Sequence, residues 1–469
     1  MIKITNESKT LLLNVKEIKK NAGDDIDYKI NSNIELICTK IITNDIFSQC
    51  QQYLNIFNKT VNNNVLYERN NINLKLMDTN NKIVALFNSL DNKYAITDEN
   101  KKKIKLYSEI KYNFHNKKFI LHFFQEKQIQ KTFIDDIIFQ IYIMFTLYGD
   151  KEIMLEQSSN GKKIVGPFDA YITNSMTEIN SNEFIFYFIL YHGPRKSSKN
   201  INHGNINVDI MKLKNNICFY NSSGLTDYIH NNYNQNYIIV SRMNGLFGLL
   251  NHELCHALHL DCIPGIEILL HNNNNDNIMS LYLNEIFSNF NASIFVTLIN
   301  SLLYFGNSTY NIFKKLLKIE IIHSFNQYIR LLHMYGFNNY HELINYNDKI
   351  TNGEYVNAYV IGRALMFNNI NIILKYINYD KKIFFVNNNN NVSSIQQCFS
   401  DILLDKKSID FFNTLFNCNK KIINTGNDEG INYCGNMLME YFCIDFDYNN
   451  NNNNINNNNN NNKNTLQLY

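Results

Sequence analysis

Proline is nearly missing from this chain: Pro167, Pro194 and Pro264 are the only three in 469 residues, so long helices can run uninterrupted elsewhere. Arginine is almost as scarce, limited to Arg69, Arg195, Arg242, Arg330 and Arg363. The opening MIKITNESKTLLLNVKEIKK mixes lysines with Glu7 and Glu17 and has no arginine, which makes it a poor secretory signal and a poor transit peptide. Excess charge is lacking too. Lys+Arg 44 against Asp+Glu 42 leaves +2, so no overall field draws the chain to nucleic acid or to a membrane surface. Apolar runs such as Phe184 to Tyr191 fall well short of the roughly 20 residues that span a bilayer, so no membrane insertion is expected. The nine cysteines are scattered, without the paired spacing of a zinc ribbon or a disulfide framework, and fit a reducing compartment.

What is present suits a globular protein: 45% hydrophobic and 13% aromatic residues can fill a large core. Asparagine tracts at Asn272 to Asn275, at Asn387 to Asn391 and from Asn449 to Asn462 cannot bury apolar area and predict surface loops or disorder. Residues 1–150 read as mostly helical, 151–446 as a second region, and 447–469 as a disordered tail. Between about Lys163 and Arg242, short apolar or alternating runs (IVGPFDAYIT, EFIFYFILY, ICFY and YIIVSR) predict a small sheet. Helical spacing returns from Met243, through GLFGLLNHELCHALHL and then IMSLYLNEIFSNFNASIFVTLINSLLYF.

The chemistry concentrates in NHELCHALHLDC, where His252, Glu253 and His256 form H-E-x-x-H. On a helix the two histidines lie one turn apart on one face and can reach one zinc ion, while Glu253 can contact water at the metal. The plain alternative is an amphipathic helix with a polar outer side. Leu246, Leu249, Leu250, Leu254 and Leu258 supply an apolar side, and Pro264-Gly265 a stop. Catalytic zinc takes three protein ligands, so a third is needed. His259 shares the histidine face but sits about 10 Å along the axis from His252, too far to bind the same ion. It reads as a cleft-wall residue contacting substrate, or as an ordinary surface histidine. Glu285, alone among apolar and small residues in LYLNEIFSNFNASIF, is the better third ligand, because ligation removes the cost of burying its charge. Glu267, beside the Pro-Gly break, is the competitor.

These segments resemble the thimet oligopeptidase family of zinc peptidases, and within it the mitochondrial intermediate peptidases. HELCHALH is similar to that family's H-E-x-G-H-x-x-H, EIFS at Glu285 to Ser288 to its E-x-P-S, and NGEYVNAYVIGRALMF to its Y-G-A-x-Y-Y-S-Y-L-F-x-R-A-x-A. Cys255 stands where the family has glycine, Ala292 where a second acidic residue commonly follows, and Asn352 and Val356 where it has tyrosines. The resemblance implies a mainly helical metallopeptidase with a small mixed sheet beside the H-E-x-x-H helix and a deep cleft. It implies one zinc on His252, His256 and Glu285, with Glu253 carrying a proton from water to the leaving amine. Tyr359 would hydrogen-bond the oxyanion, and Gly353 and Tyr355 would contact substrate. Residues 1–150 would form a cleft wall, and a strand edge near Tyr237 to Ser241 would pair with extended substrate. The implied activity is endopeptidase cleavage of unstructured peptides, presequence peptides included, by a monomer in the mitochondrial matrix or, failing that, the cytoplasm. A zinc exopeptidase of carboxypeptidase type, or an inactive peptide-binding relative, is the alternative.

Overall fold

The computed structural model describes residues 24–148 apart from 25, 69–71, 78–79 and 92–97; 183–191; 224–227; 236–241; 246–304 apart from 259, 261–266 and 273–274; 310–334; 339; 358–376; and 398–425 apart from 400 and 403–404. A first helix, α1, covers 26–40. Thr43 then caps α2 (Asn44–Asn62), its hydroxyl accepting from the Ile46 amide at 3.3 Å, and Phe47, Cys50, Phe57 and Val61 form the buried stripe of that helix. Next come β1 (Lys75–Leu76), α3 (Asn81–Asp91), α4 (Asp98–Lys103), β2 (Leu106–Phe114), β3 (Lys117–Gln125) and α5 (Lys131–Tyr148). They are followed by β4 (Glu183–Leu190), β5 (Gly224–Asp227), β6 (Asn236–Ser241) and α6 (Leu246–Ala257). A second hairpin, β7 (Glu267–Asn272) and β8 (Asn275–Tyr282), leads into the long helices α7 (Leu283–Tyr304) and α8 (Tyr310–Met334). A π-helical turn at Ala358–Gly362 continues as α9 (Arg363–Asn368), with α10 (Ile370–Tyr376) and α11 (Lys406–Thr425) behind it. The described residues are mostly helical, with a small mixed sheet, as expected.

The larger sheet has the order β1-β2-β3-β4-β6-β5. Strands β2 and β3 pair antiparallel through His115 and Asn116, both at positive φ (49° and 57°), the backbone that a two-residue turn needs to match the twist of its strands. Strand β3 then pairs parallel with β4, and β4 parallel with β6. These central strands are covered on both faces, which explains their unbroken apolar runs. On one face Phe119, Phe123, Phe184, Phe186 and Phe188 meet α5, with the Phe119 and Phe145 rings edge to face at 4.9 Å. On the other, Phe124, Ile189 and Ile239 pack with Met77, Ile83 and Phe87 in a smaller core. The main core runs from Ile26 to Phe416.

The described part of 1–150 is mostly helical, as expected, and also supplies the β2–β3 hairpin. Two expectations need correcting. Tyr237 to Ser241 is no free edge, because β6 lies between β4 and β5, and the strand at that border is β5. The helix expected from Ile278 begins only at Leu283, since residues 275–282 pair with β7. A short apolar run such as IMSLY fits either period, and the facing EILLH decides for strand. The IVGPFDAYIT and ICFY segments, Asn387 to Asn391 and the tail lie outside the described residues. Among the described residues one stretch, Glu285–Tyr304 of α7, is long and apolar enough to cross a membrane by length and composition; 94% of its most apolar window is buried within the protein.

Candidate metal centre

The site is built where α6 leaves the sheet. Leu246, Phe247, Leu250 and Leu254 are fully buried, and the Phe247 ring stacks on Phe133 of α5 at 5.4 Å. Next to the first histidine, the Asn251 amide donates to Gln140 Oε1 on α5 at 2.6 Å and to the Phe247 carbonyl at 2.8 Å. Together these contacts fix the rotation of α6 about its own axis. The helix closes early: the Leu260 amide reaches back to the Cys255 carbonyl at 2.8 Å, the long return bond of a helix C-terminus. The Pro264-Gly265 stop lies outside the described residues, but α6 has already ended at Ala257.

Rotated in this way, α6 sets His252 and His256 beside the first turn of α7. The two Nε2 atoms are 3.1 Å apart, with the rings at 83° to each other. Glu285 brings Oε2 to 3.2 Å from His252 Nε2 and Oε1 to 3.6 Å from His256 Nε2. A tetrahedral ion with bonds of about 2.0–2.1 Å needs its ligand atoms about 3.3 Å apart, so this spacing suits one ion. His252, His256 and Glu285 can therefore hold a metal ion, each offering one ligand atom within 4.8 Å of the others. The His252 side chain is 7% exposed, that of His256 13% and that of Glu285 14%.

Burial alone would raise the Glu285 carboxyl, but His256 and His252 outweigh it and hold the group well below the usual carboxylate range. The carboxylate is thus ready as a ligand at neutral pH. Glu253 follows His252 directly and is 5% exposed. Tyr359 enters as a backbone position in the π-turn, and Glu267 as the first residue of β7, opposite Tyr282. His259, Gly353 and Tyr355 lie outside the described residues.

The π-turn comes close to the ligand helix because of Gly362. A Cβ at that position would lie 2.3 Å from Ile286 Cγ1, the side chain next to Glu285. Such single π-turns are frequent at functional sites. Arg363 anchors the turn from the other side. Fully buried, it donates from Nε to Ser324 Oγ at 3.1 Å and from its guanidinium to Gln327, with Glu320 at 4.0 Å, all on α8.

Sequence reasoning named Ser288 only as the end of the EIFS segment and gave it no role, and it did not single out Gln140 or Asn251. Ser288 was detectable, since it lies three residues after Glu285 and so shares its helix face. Gln140 carried no signal, because its partner is remote in sequence. Set against family models, curated proteins and solved structures, the chain matches none of them.

Proposed function

We propose that this chain is a zinc-dependent metallopeptidase that cleaves unstructured peptides from within. The observation that carries the reading is the meeting of two imidazole nitrogens and a buried carboxylate, His252, His256 and Glu285, within 4.8 Å of one another. Two imidazoles and one carboxylate, without a thiolate, make a donor set that suits zinc and leaves a fourth position open, as catalytic sites require. Zinc held there would supply a Lewis acid that polarises a peptide carbonyl and makes water a better nucleophile.

The chain's own residues would do the rest. Glu253, one residue from His252 and not among the three ligands, takes a proton from the attacking water and returns it to the leaving amine. Tyr359, on the π-turn packed against the Glu285 helix, donates its phenol proton to the oxyanion. The resemblance to the thimet oligopeptidase family supports the same roles, a cleft that admits only extended chains, and presequence peptides in a mitochondrial setting as one substrate class.

Zinc analysis and a peptide library test the reading together. Purified protein should carry about one zinc per chain, and Glu253→Gln should keep the metal while peptide cleavage falls by about 10² to 10⁴. Residue-by-residue removal from peptide C-termini would make the enzyme a carboxypeptidase. Zinc binding without cleavage would leave a peptide-binding protein, and absence of zinc would end the metallopeptidase reading.

A further inference from the structure

A metal-binding histidine needs its second nitrogen held, because the hydrogen bond at that atom fixes both the tautomer and the direction of the ring. In His256 the two nitrogens are clearly divided. Nε2 faces His252 and Glu285, at 3.1 Å and 3.6 Å, while Nδ1 faces away and lies 3.3 Å from Ser288 Oγ. Ser288 is fully buried on α7, one turn after Glu285. The next position along that face is Ala292, also fully buried within the core, whose methyl offers no oxygen.

We propose that Ser288 is the positioning residue for His256, its hydroxyl oxygen accepting the Nδ1 proton so that Nε2 is presented to the metal. The inference rests on the metal reading above and deepens it. One helix then supplies both the carboxylate ligand and the group that orients a neighbouring imidazole. A neutral hydroxyl takes the part a carboxylate plays in many such sites, so it adds no charge to those of Glu285 and Glu253.

The test is zinc affinity of the full chain, read by competition with a chromophoric chelator. Partners of this kind are worth about 10- to 100-fold in affinity. Ser288→Ala should weaken zinc binding by about tenfold or more, whereas Ser288→Thr, which keeps the oxygen, should bind as wild type does. Ser293→Ala is the control on the same buried helix, since the Ser293 hydroxyl donates only along α7, to the Asn289 carbonyl at 2.9 Å. It should leave affinity unchanged. ¹⁵N spectra of zinc-loaded protein should show the His256 ring protonated at Nδ1, with that proton exchanging faster in Ser288→Ala. Equal losses in Ser288→Ala and Ser293→Ala would mean general damage to α7 and overturn the proposal, as would wild-type affinity in Ser288→Ala. A wild-type chain that binds no zinc would remove the metal reading itself, a result distinct from either.

Discussion

The two helices that meet at the metal centre are both largely buried, but they set their ligands in place by different means. Helix α6 is short, with leucines on one side and both histidines on another, so its internal spacing alone sets His252 and His256 together. Helix α7 is buried from Ile286 to Leu302 without a break. Even its polar residues are interior: the hydroxyls of Ser293, Thr297 and Ser301 bond to carbonyls of the helix itself at 2.6 to 2.9 Å. A helix enclosed on every side has its position fixed by packing, not by a pattern of its own. The two halves of one site thus have different origins. Helix spacing fixes the histidine pair, and the whole core fixes where Glu285 stands relative to it.

Stability measurements test this contrast. The largest effect should come from Phe290→Ala on α7, where a fully buried ring packs on Phe367 at 4.8 Å between centroids. Urea unfolding should show a loss of about 3–5 kcal/mol. Leu249→Ala on the half-buried side of α6 should cost less than about 2 kcal/mol. Equal losses would erase the distinction between the helices.

The ties of the two helices to α5 differ in kind as well. Asn251 holds α6 through the neutral Gln140, whereas Tyr304 at the end of α7 donates to Asp136 Oδ2 at 3.0 Å. Burial, assisted by Asp135 and opposed by the Tyr304 bond, pushes the Asp136 carboxyl up to about 7. Since that lies above its unfolded value, the stability this group contributes is complete below about pH 4 and is lost as pH rises to about 7. His122 on the sheet runs the other way, pushed down to about 4 mainly by burial, with Lys111 assisting and Glu109 opposing. Its contribution is complete above about pH 6.5 and is lost as pH falls towards 4. Asp136→Asn should therefore gain on the order of 2–4 kcal/mol at pH 8 and uncover a stability that rises from pH 4 to 6.5. Gln140→Ala should leave the shape of the pH profile unchanged. An Asp136→Asn protein whose stability still falls towards pH 7 would show that another group carries the effect.

A further effect concerns the contact between the π-turn and α7. Gly362→Ala should cost about 1–3 kcal/mol through overlap with Ile286. The double variant with Ile286→Val should lose less than the sum of the two single changes, as a shared contact requires. Strict additivity would mean that the turn relaxes away from the ligand helix.

How much of this was legible in the sequence follows from the same contrast. The histidine pair was readable because i and i+4 on a helix is local information. Glu285 was readable by a different signal, a lone charge among apolar neighbours. Its distance from the histidines depends on α7 packing against α6, which no local pattern contains. The β2–β3 hairpin escaped because its turn is His115-Asn116, without the glycine that usually marks such turns. Strand β8 escaped because its pairing partner, not its own periodicity, decided its state. Strand β6 was recognised as a strand, but whether it bordered the sheet depended on β5, a four-residue segment too short to stand out.

The parallel pairing at the centre of the sheet also sets an order in time. The β2–β3 hairpin closes across two residues, whereas joining β3 to β4 means looping out all of 126–182, and joining β4 to β6 all of 191–235. Contacts between distant parts of a chain cost closure entropy before they return any stabilisation, so they form late. Helix α6 departs from β6 and takes its fixed rotation from α5, through the bond between Asn251 and Gln140. His256 and Glu285 stand 29 residues apart, less than either parallel connection, so their approach costs little closure entropy, whereas the rotation of α6 that aims the histidines depends on Gln140, 111 residues from Asn251, and waits for the rest of the fold.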